Sequence, residues 1–347
     1  MNILLIRRDN IGDLVCSTPL IVAIRARYPQ ARITVLANSY NAGVLAGNPA
    51  IDAVYAYEKA KHREPRQSRW GVYWRTLRLV LALRRQRFDW AIAVGSGLHV
   101  HAIKFARWVG ARQIVAFVAQ GQPVPPGVTH PIDYVRTPVH ETLDCFRLLA
   151  PLGIDGEPGP LRVYPDPGRL AAMQERLPSK GRVLALHVSA READRRWPEA
   201  HFVALITTLA QRHPDLTMLL LWSPGAESDP RHPGDDALAG RLLAASAGWL
   251  LPAPTGELAE LIAALACADL VLCSDGGALH LAAALGKPIV ALFENREDKT
   301  ARWYPWQVPY RMVMPPTRAI RDIPLEPVLA AVEDLLQTLP ESPDHDD

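Results

Sequence analysis

The sequence predicts an α/β chain of two doubly wound, Rossmann-like halves. Two successive series of short apolar runs alternating with helical segments carry that prediction, together with a Pro- and Gly-dense stretch between them at Pro151 to Pro167. A length of 347 residues is too great for one compact core and fits two domains of ordinary size. The expected organisation is an N-terminal domain over 1–160, a C-terminal domain over 161–323 and a last helix with an acidic tail over 324–347, with a cleft between the halves.

Asn2 to Ile6 is apolar and meets Arg7 and Arg8 at once, the order of a buried first strand and not of a signal peptide. Leu14 to Tyr28 reads as a helix stopped by Pro29, with Asp13 in the N-cap position, and Arg32 to Ala37 as the next strand. Ala53 to Tyr57, Trp90 to Val94 and Gln113 to Phe117 continue the strands, and the Pro/Gly-rich run Gln120 to Gly127 is an excursion within the first domain. The second series has strands at Val183 to His187, Thr217 to Trp222, Leu270 to Cys273 and Ile289 to Phe293. Helices near Ala200 to Gln211, Asp236 to Ala245, Glu257 to Ala266 and Ala278 to Leu285 separate them, and Pro324 to Leu336 reads as the final helix.

Composition narrows the function. Hydrophobic residues at 49% and charged residues at 21% describe a soluble globular chain expected in the cytoplasm, and no apolar run is long enough to span a bilayer. Cys16, Cys145, Cys267 and Cys273 have neither zinc nor redox spacing, so no metal site is expected, and a net charge of +2 is not that of a nucleic-acid binder. Charge is unevenly placed, however. From Lys59 to Arg87 the basic residues, Arg66, Arg69 and Arg75 among them, face one acid, Glu64. Trp70, Tyr73, Trp74, Leu77, Val80, Leu81 and Leu83 are interleaved at near-helical spacing, which predicts an amphipathic helix from Trp70 to Arg85 facing an anionic partner or lipid headgroups. A solvated basic helix packed by its Leu face has the same pattern.

Ser274-Asp275-Gly276-Gly277-Ala278-Leu279-His280 joins a strand to an alanine-rich helix through two glycines. Glycines let a backbone turn tightly and approach a ligand, and the N–H groups at a helix start favour anions, phosphate above all. Asp275 stands at the expected N-cap, with His280 one turn inside the helix facing back toward the same mouth. An ordinary strand-to-helix turn with a capping Asp and a packed His would read the same way.

Four separated segments resemble the bacterial lipopolysaccharide heptosyltransferase group, glycosyltransferase family 9, which has the GT-B fold. They are the opening NILLIRRDNIGDLVCSTPLIVAIRARYPQARITVLA, the segment HVSAREADRRWP from His187 to Pro198, Gly225-Ala226-Glu227, and SDGGALHLAAALGKP. The resemblance covers nearly the whole chain and implies an inverting, metal-independent transferase that moves heptose from ADP-heptose, without a cofactor, to an anionic lipid-linked oligosaccharide at the cytoplasmic membrane surface. Asp13 would be the general base, with an N-cap as its alternative role. Ser189, Arg195, Asp275, His280 and the N–H groups around Gly276 and Gly277 would hold the diphosphate, and Glu227 the ribose hydroxyls. Arg195 stands where the family usually has lysine, and Gly276 where it commonly has threonine, which removes a hydroxyl contact. A GT-B sugar-nucleotide epimerase and a non-catalytic nucleotide- or glycan-binding relative are the alternatives. The basic patch argues against the first, and the missing threonine at Gly276 keeps the second alive.

Overall fold

In the computed structural model, residues 1–57, 69–135, 137–179, 181–229 and 233–339 are described, in two units, Met1–Val163 and Tyr164–Asp347. Arg66 and the acidic tail over 341–347 lie outside the described residues.

The first unit runs β1 (Asn2–Ile6), α1 (Ile11–Val15), α2 (Thr18–Arg27), β2 (Arg32–Asn38), β3 (Ala53–Tyr57), α3 (Arg69–Arg84), β4 (Trp90–Ala93), α4 (Val100–Trp108), β5 (Gln113–Ala119), β6 (His130–Tyr134) and α5 (Glu141–Phe146). The second runs α6 (Pro167–Gln174), β7 (Val183–His187), α7 (Glu199–Arg212), β8 (Thr217–Trp222), α8 (Asp236–Ala245), β9 (Leu250–Pro254), α9 (Leu258–Ala266), β10 (Leu270–Ser274), α10 (Gly277–Ala284), β11 (Ile289–Leu292), α11 (Glu297–Trp303), β12 (Tyr310–Val313) and α12 (Leu325–Thr338).

Both sheets are parallel and repeat one topology. The strand orders are β3-β2-β1-β4-β5-β6 and β12-β11-β10-β7-β8-β9, the doubly wound order of dinucleotide-binding folds. The strand order reverses between β1 and β4 in one unit and between β7 and β10 in the other, and ligands of such sheets bind beyond the carboxyl ends of those strands. The central strands are apolar throughout because helices cover both faces: Ile3, Leu4, Leu5 and Ile6 are buried, as are Leu270, Val271, Leu272 and Cys273. Each such Leu or Ile contributes about 1.5–3 kcal/mol by leaving water. α12 packs Val328, Val332, Leu335 and Leu336 into the second unit's core.

The strands missed by sequence are β6, β9 and β12, all at sheet edges. β6 carries Pro131 and β9 carries Pro252 and Pro254, residues that cannot donate to a ladder and persist only where one side of the strand is unpaired. The first helix is also corrected. It begins at Ile11 with Asn10 as N-cap, breaks at Cys16 and Ser17, and resumes at Thr18 with Pro19 in its first turn. Asp13 is therefore the third helical residue and not the cap. Among the described residues no helix is long and apolar enough to cross a membrane.

Candidate functional site

Beyond β1 and β4 a buried arginine organises the first unit. Arg7 is 2% exposed, and its Nη2 donates to Asp13 Oδ1 at 2.6 Å and to Glu141 Oε1 at 2.8 Å. Its Nε lies 3.3 Å from Asp9 Oδ2, and its Nη1 lies 3.6 Å from Cys145 Sγ. Burial works against the charge on Arg7, but Glu141, Cys145, Asp13 and Asp9 outweigh it and hold the group well above its ordinary pKa. Asp13 Oδ2 accepts the Asn10 N–H at 3.1 Å, the acidic half of a capping box. Both oxygens of Asp13 are thus held, while the side chain keeps 17% exposure. A carboxylate fixed at both oxygens yet open to solvent can take a proton from a hydroxyl placed beside it.

The loop carrying these groups is itself fixed. Asn38 Nδ2 donates to the carbonyls of Arg8 at 2.9 Å and Asp9 at 2.8 Å, and the Arg8 guanidinium lies 4.4 Å from the centre of the Tyr57 ring. Gly95, just past β4, has φ +143°, and a Cβ there would stand 2.2 Å from His99 Nε2 and 2.6 Å from Arg7 Nη1. Only glycine lets the chain pass so close to the arginine. His99 Nδ1 is 3.8 Å from Asp9 Oδ2.

In the second unit the groups gather beyond β7, β10 and β11. Ser189 Oγ accepts the Ser223 N–H at 2.8 Å and hydrogen-bonds Asp235, whose carboxyl is pushed up by burial against the opposing pull of Ser189 and Arg196. Arg195, 21% exposed, ends a short 3-10 turn with its Nε 3.2 Å from Glu294 Oε2 and 3.4 Å from Glu192 Oε2, and its Nη1 3.8 Å from Asp275 Oδ2. Asp275 is buried, and its N–H donates to the Leu292 carbonyl at 2.9 Å. Asp275 does not cap α10. Gly276 does, and with φ 169° and ψ −168° it is extended backbone that any residue adopts. A Cβ there would meet only the Ser274 carbonyl oxygen, at 3.8 Å, so the tight turn expected of Gly276 is not what requires glycine. His280 is buried with its ring edge-to-face against Trp303, 5.7 Å between centroids.

Glu227 is 72% exposed on the loop after β8 and pairs with Arg196 Nη1 at 2.9 Å, while the same nitrogen lies 3.1 Å from Asp235 Oδ1. That loop is pinched shut where Gly225 and Gly234 meet, since a Cβ on Gly234 would fall 2.3 Å from Gly225 backbone. Asp236 fixes it further, accepting from Trp222 Nε1 at 2.8 Å and from the Gly225 N–H at 2.9 Å.

The second unit therefore brings Ser189, Arg195, Asp275 and Gly276 to the carboxyl ends of its central strands and presents Glu227 on the adjoining loop. Of the basic patch, Arg69 opens α3 and Arg75 is exposed along it, on a helix that also exposes Trp74 at 63%, Leu77 at 46% and Leu81 at 47%. Sequence reasoning missed Arg7, Glu141, Arg196, Glu294 and Lys299. Arg7 carried a signal, a cation directly after the first buried strand; Glu141 carried none, since it meets Arg7 across 134 positions of sequence. Among the described residues no group of three His, Cys, Asp or Glu side chains is arranged to hold a metal ion.

Comparison with known proteins agrees with this architecture. The sequence profile of glycosyltransferase family 9 (heptosyltransferase) matches residues 76–321. The chain is 25% identical to lipopolysaccharide heptosyltransferase 3 of Escherichia coli, covering 94% of this chain and 96% of that one. Its fold matches a family 9 glycosyl transferase from Veillonella parvula with a TM-score of 0.81 at 18% identity, over 97% of each chain. It also matches the E. coli ADP-heptose LPS heptosyltransferase II, with a TM-score of 0.75 at 19% identity over 97% of this chain and 99% of that one. With two parallel six-stranded sheets of the GT-B type and a family profile spanning most of its length, the chain is a glycosyltransferase and belongs to glycosyltransferase family 9, the heptosyltransferase family.

Proposed function

We propose that the chain transfers heptose from ADP-heptose to an anionic, lipid-linked acceptor of the lipopolysaccharide inner-core class, with inversion at the anomeric carbon. The observation that carries this reading is Asp13, a carboxylate held by Arg7 at 2.6 Å and still 17% exposed, on the loop beyond the first strand. An acceptor hydroxyl loses its proton to Asp13 as its oxygen attacks the anomeric carbon, and the bond to the diphosphate breaks with departure of ADP. Arg7 holds Asp13 in orientation through the 2.6 Å contact to its Oδ1. In the second unit, Arg195 and the N–H groups at the start of α10 take up the negative charge of the leaving diphosphate, Ser189 and Asp275 shape that seat, His280 packs beneath it, and Glu227 accepts from the ribose hydroxyls. In this reading no metal ion is required, because Arg195 and the helix terminus supply the positive charge.

The acid-poor, Arg-rich segment through α3 supports an acceptor that is itself anionic and membrane-borne. Reversing charge at Arg66, Arg69 and Arg75 then raises the acceptor KM and weakens binding to anionic liposomes while leaving ADP affinity unchanged. A thermal-shift series of ADP-, UDP- and GDP-sugars tests the donor. Selective stabilisation by ADP-heptose is the expected result, and stabilisation by a UDP- or GDP-sugar instead would overturn the donor assignment.

A further inference from the structure

The diphosphate seat has an electrostatic problem that Arg195 alone does not solve. Its guanidinium meets Glu192, Asp275 and Glu294 within 3.2 to 3.8 Å, three carboxylates against one cation. Glu192 is 60% exposed and can swing into solvent, but Asp275 and Glu294 are 8% and 9% exposed and fixed. An anion approaching a lone arginine so surrounded would be repelled by the net charge. The missing cation is Lys299, on α11. Its Nζ pairs with Glu294 Oε2, the same oxygen that Arg195 Nε approaches at 3.2 Å, and it is 15% exposed. Burial alone would push the Glu294 carboxyl up, yet Lys299 and Arg195 together hold it below the usual glutamate range, so it stays an anion.

We propose, resting on the donor-site reading above, that Lys299 is a second phosphate-binding cation of the donor site and Glu294 its internal counter-ion, one carboxylate oxygen bridging Lys299 and Arg195 until a diphosphate takes both from it. The bridge keeps two neighbouring cations from repelling each other in the empty seat, and it sets the affinity for the nucleotide, because the ligand must compete with a carboxylate already in place.

The probes are ADP and inorganic pyrophosphate, titrated calorimetrically into the full chain. Lys299→Met, which keeps the apolar stem, weakens both ligands by about tenfold to a hundredfold, the range of one charge-assisted hydrogen bond. Glu294→Gln, of the same shape but uncharged, binds both several-fold more tightly than wild type. If Lys299→Met folds poorly because Glu294 keeps only one cation, Lys299→Met/Glu294→Gln carries the same test against Glu294→Gln alone, and weaker ADP binding in the double variant supports the proposal. Arg195→Ala separates the two levels. If it loses ADP while Lys299→Met, or the double variant against its parent, binds ADP unchanged, Lys299 is no part of the seat and the proposal falls while the donor site stands. Weaker ADP binding by Glu294→Gln overturns the counter-ion. If Arg195→Ala itself binds ADP as wild type does, the donor-site reading falls.

Discussion

Replacing Asp13 by asparagine separates chemistry from anchoring, and the structure alters what sequence alone would expect of it. Were Asp13 an N-cap, the amide oxygen would cap as well and stability would hardly change. Instead Oδ1 faces Arg7 Nη2 at 2.6 Å and Oδ2 takes the Asn10 N–H at 3.1 Å. An amide has one oxygen for these two donors, so whichever way it turns its NH2 group opposes an N–H. A hydrogen bond to a charged partner contributes about 1.5–3 kcal/mol. Because Arg7 keeps Glu141 at 2.8 Å, the expected loss is toward the lower end, about 1–2 kcal/mol in urea unfolding. Transfer should fall by about two to four orders of magnitude, the usual contribution of a positioned general base, with ADP affinity unchanged because the groups proposed to hold the donor belong to the second unit. The assay is initial-rate ADP release at saturating acceptor beside calorimetric ADP titration. An asparagine variant that is destabilised as expected but transfers at the wild-type rate would leave Asp13 as an anchor for Arg7 and refute its role as base.

Glu141→Ala strips a fully buried partner from Arg7 and should destabilise the first unit by up to about 3–5 kcal/mol, read from the denaturation midpoint; a change under about 0.5 kcal/mol would show that Asp13 and Asp9 suffice. Gly95→Ala puts a methyl group 2.2 Å from the His99 ring at φ +143° and should lower stability by about 1–3 kcal/mol, whereas a variant that melts with wild type would mean the loop yields freely. His187, at the end of β7, has its imidazole pushed from 6.5 down to about 4 by burial. The unfolded chain therefore takes up a proton that the folded chain refuses as pH falls from about 6.5 to about 4, and stability declines across that window by up to about 3 kcal/mol. His187→Asn should flatten that part of the pH–stability curve; an unchanged slope would contradict the assignment.

The central strands were legible because β1, β7 and β10 are buried on both faces and read as unbroken apolar runs bounded by turn residues. The edges were not. β9, LLPAP, breaks every rule for a strand except that only one of its sides must pair, a condition set by neighbours and invisible locally. In the first unit the motif singles out Asp13, but its place in the helix differs from the N-cap position the sequence suggests. Asn10 followed three residues later by Asp13 is a capping-box spacing, but an Asp directly before the apolar run from Leu14 has the look of a cap itself. The ion pairs beside both candidate sites, Arg7 with Glu141 and Lys299 with Glu294, depend on which side chains folding brings together. The first joins the loop after β1 to α5, and the second, five residues apart, shows no pattern until α11 turns back on the end of β11.

Transfer of heptose by way of Asp13 can be followed in a single reconstituted reaction. The purified chain is given ADP-heptose and an inner-core lipopolysaccharide acceptor in the presence of a chelator, and ADP release, acceptor mass and the anomeric configuration of the new linkage are followed for wild type and Asp13→Asn. The account predicts one ADP released per heptose added, an inverted linkage, and a rate reduced by about two to four orders of magnitude in the variant. Binding of ADP-heptose without transfer, a retained configuration, or a variant as fast as wild type would contradict it.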